Sequence, residues 1–259
     1  AMDISKNQHW CYHGVANVVR AHSLIRSFPE VDGNRTAITG ISWGGFLTCI
    51  VLALDDRFKA AIPIYGCGYI YKNGPWLTEF GAMKNEHRDQ WIKKYDPSQY
   101  LGYCNTPVFF VNGTNDFAYL PDIYDKSYRL VKGPRNFRIT LDMEHGHEQG
   151  WAPKEIEMFV SQYLTDGIPL PVVHSPIVHL GRCLVASVSA ETELLSANLH
   201  YTTDTTPYSE RRWNTVNAEI DDNTIVANVG TDQKCISILT VRDERDAIVS
   251  SQFVFNAHS

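Results

Sequence analysis

The stretch that most constrains this chain is "AITGISWGGFLT", residues 37 to 48. A β-branched apolar run meets Gly40-Ile41-Ser42-Trp43-Gly44, and a second apolar run follows with helical spacing. Two structures produce such a junction. One is a tight packing corner. The other is a strand-to-helix turn that holds a serine out in a strained backbone, the nucleophile elbow. The elbow needs small residues around the serine, and it aims the first N–H groups and the positive dipole end of the helix at a reacting oxygen. Gly40, Gly44 and Gly45 meet the steric demand.

The grammar around the motif fixes the fold class. "HGVANVVRAHSLIRSF" and "GGFLTCIVLALDD" carry apolar residues at helical spacing, as do "DIYDKSYRLVK" and "PKEIEMFVSQYLTDG". "RTAITGI", "FKAAIPIYG", "TPVFFVNG" and "FRITLDM" are short strand-like runs between them. The last three are too continuously apolar to alternate, which is expected of parallel strands covered on both faces. Helix and strand in alternation predict an α/β domain with a parallel sheet over residues 1–168. After "DGIPLP" only short strands remain, separated by Asp, Asn, Gly and Thr clusters, and residues 169–259 are expected to form a small antiparallel β-sandwich.

Chemistry-bearing residues follow Ser42 in a fixed order. "VNGTNDFAYLP" puts Asp116 just past a buried strand, where catalytic groups gather in parallel sheets; a turn or helix-cap aspartate is the alternative, and Asp122 reads as one of those. "FRITLDMEHGHEQGW" puts His145 and His147 directly after the last strand of the α/β domain, and either can serve as base to a serine oriented by a carboxylate. The two histidines lack a carboxylate or thiol cluster at ligand spacing, so neither a metal nor another cofactor is expected. The six cysteines are scattered without a CxxC pair, and Cys67 with Cys104 or Cys183 with Cys235 would pair only in an oxidising compartment.

The segments "VDGNRTAITGISWGGFLT", "LDDRFKAAIPIYG", "VNGTNDFAYLP" and "MEHGHEQGWAPKEI" resemble the bacterial acetyl xylan esterase and dienelactone-hydrolase-like branch of the α/β-hydrolases, which borders the prolyl-oligopeptidase type. The resemblance covers residues ~8–168. It implies Ser42 as nucleophile, Asp116 as orienting acid and His147 as base, because Gly146-His147-Glu148 matches the family's Gly/Asn-His-Glu. His145 is then a neighbour lining the pocket, and the Trp43 N–H one oxyanion donor. The implied reaction is hydrolysis of carboxylic esters, acetyl or other acyl groups on a small molecule or carbohydrate. A peptidase or amidase, and a noncatalytic carbohydrate-binding relative, are the alternatives. Residues 66–105, dense in aromatics from Tyr69 to Tyr100, stand where such hydrolases carry a lid; plain packing onto the domain is the other reading.

The elbow strand begins near residue 35, with one helix ahead of it and no His-Gly-Gly-type oxyanion loop. Three readings follow: part of a longer hydrolase, a weakly catalytic relative, or a short form whose bare sheet edge near Arg35–Ile41 is covered by a second copy. The cost of an uncovered apolar edge favours the homo-oligomer. A net charge of -6 argues against nucleic acid as partner, and no stretch approaches the ~20 apolar residues of a membrane span. The opening "AMD" shows no signal peptide, which leaves the compartment, cytoplasmic or secreted, undetermined.

Overall fold

The structure is a computed structural model, and it describes residues 9–174, 178–180, 183–229, 231 and 233–255. The opening "AMD" and the side chain of His179 lie outside the described residues. The chain forms two compact units. The first comprises residues up to 111 together with 117–135, and the second 112–116 together with 136 onward.

The first unit is the α/β part. It runs through α1 (Trp10–Ile25), β1 (Ala37–Ile41), α2 (Trp43–Val51), β2 (Ala60–Ile64), α3 (Leu77–Ala82), α4 (Asn85–Tyr95), β3 (Val108–Gly113) and α5 (Pro121–Tyr128). Strands β1 and β2 pair in parallel from Ala37↔Ala60 to Ile41↔Ile64, and β2 pairs in parallel with β3 at Ala61↔Val108 and Ile64↔Val111. Every residue of β2 and β3 is buried, which is why their sequences do not alternate. Helix α2 packs on β1 and β2 with Phe46, Cys49 and Val51 fully buried, so its apolar residues surround most of the helix.

The second unit begins at the C-terminal end of β3. It holds β4 (Arg135–Thr140, from its second residue), α6 (His147–Trp151) and α7 (Glu155–Leu164), then β5 (Val172–Val173), β6 (Val178–Leu180), β7 (Cys183–Ser189), β8 (Leu194–Thr202), β9 (Asn214–Asp221), β10 (Thr224–Asn228), β11 (Ile236–Asp243), β12 (Ile248–Ser250) and β13 (Val254–Phe255). The strands after β4 are antiparallel, as their spacing indicates, and they pair in the order β4-β12-β11-β8-β9-β10-β7-β5, with β13 on β11 and β6 on β7. The order returns on itself, since β5 at its end lies against β11 and β12.

"FRITLDM" runs parallel, as expected: the Val108 N–H donates to the Pro134 carbonyl at 2.9 Å and the Thr114 N–H to the Thr140 carbonyl at 3.0 Å. Its other side carries β12 antiparallel at Ser250↔Phe137, a pairing that the sequence reading lacks. The C-terminal strands add onto β4, so β4 and the strands after it fall in one compact unit. Strand β9 has no counterpart in that reading: "NTVNAEID" alternates so that only Val216, Ala218 and Ile220 are partly covered, and its polar half hides the pattern. All six cysteines are free, with no disulfide among them.

Candidate active site

Ser42 joins β1 to α2 with φ 58° and ψ -119°, a backbone that non-glycine residues rarely adopt and that costs on the order of 1–3 kcal/mol. Its hydroxyl does not cap the helix it precedes. The turn is held from behind: the Ser42 N–H donates to the Ile64 carbonyl at 2.9 Å, and the Phe46 N–H donates to the Ser42 carbonyl at 2.9 Å. Close approach explains the glycines. A Cβ on Gly40 would lie 2.5 Å from the Gly44 carbonyl, and one on Gly45 would lie 2.5 Å from the Ile64 carbonyl oxygen. Gly44 differs from expectation, since a Cβ there meets nothing within 4 Å. The third demanding position is Gly66, where a Cβ would lie 2.0 Å from Gly45 and Phe46 backbone atoms. Gly66 carries one local signal, a glycine two residues past the end of a fully buried strand.

Trp43 opens α2 beside the serine with 37% of its surface exposed, so its ring is neither core nor free surface. It packs edge-on against Trp10 at 5.2 Å and against Phe46 at 5.1 Å, and at 5.1 Å from Trp76, which continues to Tyr119 at 5.3 Å. The 66–105 aromatics divide by their surroundings. Phe80, Trp91 and Tyr95 are buried packing, whereas Trp76 joins the ring cluster at Trp43. Trp10 belongs to the same cluster and carried no local signal, because its partner is thirty-odd residues away. His9 is core: its Nε2 accepts from the Trp91 indole at 3.1 Å, and burial lowers its pKa.

Asp116 lies just past β3, fully buried. Both carboxylate oxygens face the Nδ1 of His145, at 3.1 and 3.0 Å, and the His145 side chain keeps 14% of its surface exposed. A neutral ring that donates its Nδ1–H to a carboxylate has its Nε2 lone pair free to accept a proton. The expectation for the two histidines is thus reversed in the geometry: His145 is the ring on Asp116, while His147 is the exposed first residue of α6.

Local geometry explains the reversal. The chain leaves β4 through Asp142 at φ 54°, whose N–H donates to Thr114 Oγ1 at 2.9 Å. A Cβ on Gly113 would lie 1.9 Å from the Met143 carbonyl oxygen, and the Asn115 N–H donates to that oxygen at 3.3 Å. The loop after β4 is therefore pressed onto the loop after β3 as far as Met143, which delivers His145 to Asp116. Gly146 then takes an extended backbone and begins α6, carrying His147 onward. Asp122 sits in the first turn of α5 and accepts from Asn73 Nδ2 at 3.0 Å, a structural carboxylate as expected. Among the described residues, no group of three or more His, Cys, Asp or Glu side chains is placed to hold a metal ion, and no helix is long and apolar enough to cross a membrane.

Comparisons with known proteins bear on the fold and the family of the chain. Over 148 residues the chain is 24% identical to the acetyl esterase Axe7A of Xylanibacter ruminicola, a match covering 54% of this chain and 34% of that protein. Its fold is similar to that of an acetyl xylan esterase from Paenibacillus sp. R4, with a TM-score of 0.54 at 20% identity, covering 61% of this chain and 54% of the other. It is also similar to the acylaminoacyl peptidase of Pyrococcus horikoshii, with a TM-score of 0.53 at 22% identity, covering 60% of this chain and 28% of the other. The chain thus spans about a third of the esterase it matches in sequence and about half of the first of these structures. A family model covers residues 5–163, most of the chain and every motif from the elbow to the histidine loop, and by it the chain belongs to the prolyl oligopeptidase family of α/β-hydrolases.

Proposed function

We propose that this chain is a serine hydrolase acting on carboxylic esters, with Ser42 as nucleophile, His145 as general base and Asp116 holding the imidazole. The observation that carries the reading is the Asp116–His145 pair, a fully buried carboxylate bound to a partly exposed ring. His145 Nε2 takes the proton of Ser42 Oγ as the oxygen attacks the ester carbonyl, then returns it to the departing alkoxide. A water, deprotonated by the same nitrogen, then cleaves the acyl-serine. The Trp43 N–H, first of the helix, is the oxyanion donor in this scheme. The strained backbone of Ser42 supports it, because strain of that kind persists where the surroundings over-determine it.

The likeness to an acetyl esterase favours small acyl groups, and the acyl pocket in this proposal is the Trp43–Trp10–Trp76 cluster. Cleavage of amides or peptides is the second reading, favoured by the peptidase membership of the family and by the acylaminoacyl peptidase fold likeness.

A fluorophosphonate probe tests the roles. The parent protein and His147→Ala are expected to label, and Ser42→Ala and His145→Ala are expected not to. Labelling that survives in His145→Ala but vanishes in His147→Ala would return the base to His147. No labelling of a folded parent would leave the noncatalytic carbohydrate-binding reading in front. Rates on p-nitrophenyl acetate against an acetyl p-nitroanilide then separate esterase from amidase.

A further inference from the structure

We infer that Asn115 is a positioning residue for the Asp116–His145 pair, and that through it the loop between β8 and β9 is part of the hydrolytic apparatus. The inference rests on the hydrolase reading above and extends it to strands outside the family match, which ends at residue 163.

Asn115 precedes Asp116 directly, and every polar atom of its side chain is engaged. Its Nδ2 donates to the Ser209 carbonyl at 3.2 Å and to the Arg211 carbonyl at 3.0 Å, while its Oδ1 accepts from Thr114 Oγ1 at 2.7 Å. Its backbone N–H is bound to the Met143 carbonyl, two residues before His145. Asn115 therefore joins three pieces of chain: the turn that carries the acid, the turn that carries the histidine, and the 203–213 loop.

The far anchor is braced. Tyr208–Glu210 is one 3-10 turn, and the Asp204 carboxylate accepts from the Arg212 N–H at 2.9 Å. Arg211 Nε donates to the Thr206 carbonyl at 2.8 Å, with the guanidinium 3.9 Å from the centre of the Tyr208 ring. A loop tied in this way transmits a fixed position, as a free tail would not. The chemistry also selects the amide: two converging carbonyl oxygens require a group with two N–H donors, and a carboxylate of the same shape would face them with like partial charge. The hydrogen-bonded Asp–His geometry has to be held to a fraction of an ångström, and 1 Å of misplacement can cost about 10²-fold in rate.

The test compares Asn115→Ala, Asn115→Asp and Arg211→Gln with the parent. The measurements are kcat and KM on p-nitrophenyl acetate, thermal midpoint, and the downfield Nδ1 proton resonance of His145, assigned by its loss in His145→Ala. We expect kcat to fall about tenfold in Asn115→Ala, and further in the isosteric Asn115→Asp, with KM within about twofold. The His145 resonance broadens or disappears in both. Arg211→Gln, which loosens only the far anchor, gives a smaller change of the same kind. Unchanged kcat and an unchanged resonance, with only the melting temperature lowered, would overturn the inference. A parent that hydrolyses no ester and takes no probe would sink the hydrolase reading, while the resonance would still decide whether Asn115 positions the pair.

Discussion

The two units bury their strands under different rules. In the first, β2 and β3 are covered on both faces and are apolar up to Asn112 near the end of β3, and the other buried polar groups stand off the sheet. There His22 Nδ1 meets Asp55 at 2.8 Å and Arg57 binds the same carboxylate at 2.6 Å, at the joint between α1 and the turn after α2. In the second unit the strands themselves bury polar groups: His200 and Thr202 in β8, Ser237 and Thr240 in β11, and Ser250 in β12. His200 is matched on both ring nitrogens, with Thr215 at 2.8 Å and Thr240 at 2.9 Å. A doubly covered parallel strand needs only area and close fit. An antiparallel layer that buries hydroxyls and imidazole needs each partner in register, so it is open to pH and to single polar substitutions.

The largest effect that would break this contrast is in the first unit. Gly66→Ala puts a Cβ 2.0 Å from the backbone of Gly45 and Phe46, atoms that cannot swing aside, and should yield little soluble folded protein. Gly44→Ala, one residue from Gly45, meets open space and should leave the melting temperature and fluorophosphonate labelling close to the parent's. If both variants fold alike, close fit is not what governs that unit.

Next comes a buried charge of the second unit. Glu155 is buried, faces Arg138 Nε at 3.6 Å and accepts from the Ile248 N–H at 2.7 Å. Glu155→Ala strands both partners, and urea titration should show a loss of about 3 kcal/mol. A loss under 1 kcal/mol would show that water reaches the site freely.

A pH dependence follows in size. Burial, aided by the positive charge of Arg138, holds the His200 pKa down at about 4, against 6.5 for a free ring. Between those values the unfolded chain binds a proton that the folded chain refuses, so stability falls as pH drops from 6.5 toward 4. The full span is on the order of 3 kcal/mol, and His200→Gln should flatten it. Burial raises the Asp55 pKa, but hydrogen bonds from Arg57 and His22 more than reverse it and hold the carboxyl at about 2. Its contribution is complete above about pH 5 and is lost as pH falls from there toward 2, so most of the slope from pH 6.5 to 4 is left to His200. An unaltered slope in His200→Gln would locate the acid sensitivity elsewhere. The smallest effect is at the surface: Asp246→Asn removes the partner of Lys154 and Arg242, and the melting temperature should not move measurably.

Local chemistry determined much of this protein by itself. The elbow glycines, the continuous apolar runs of β2 and β3, and the position of Asp116 past a strand are properties of short segments, and short segments declare them. The antiparallel character of the C-terminal strands was legible in the same way, except for β9, whose alternation is half polar.

Tertiary structure decided the rest, because the rest depends on segments far apart in sequence. Whether His145 or His147 meets Asp116 turns on how far the loop after β4 is pressed onto the loop after β3, and residues 113 and 143 settle that together. The steric demand at Gly66 exists only because α2 lies on it, and Trp10 matters only because Trp43 is there. Asn115 reads as an ordinary loop residue until the carbonyls of Ser209 and Arg211, more than ninety positions away, arrive at its amide. A sequence states which side chains are available for chemistry; folding the distant segments together states which of them meet.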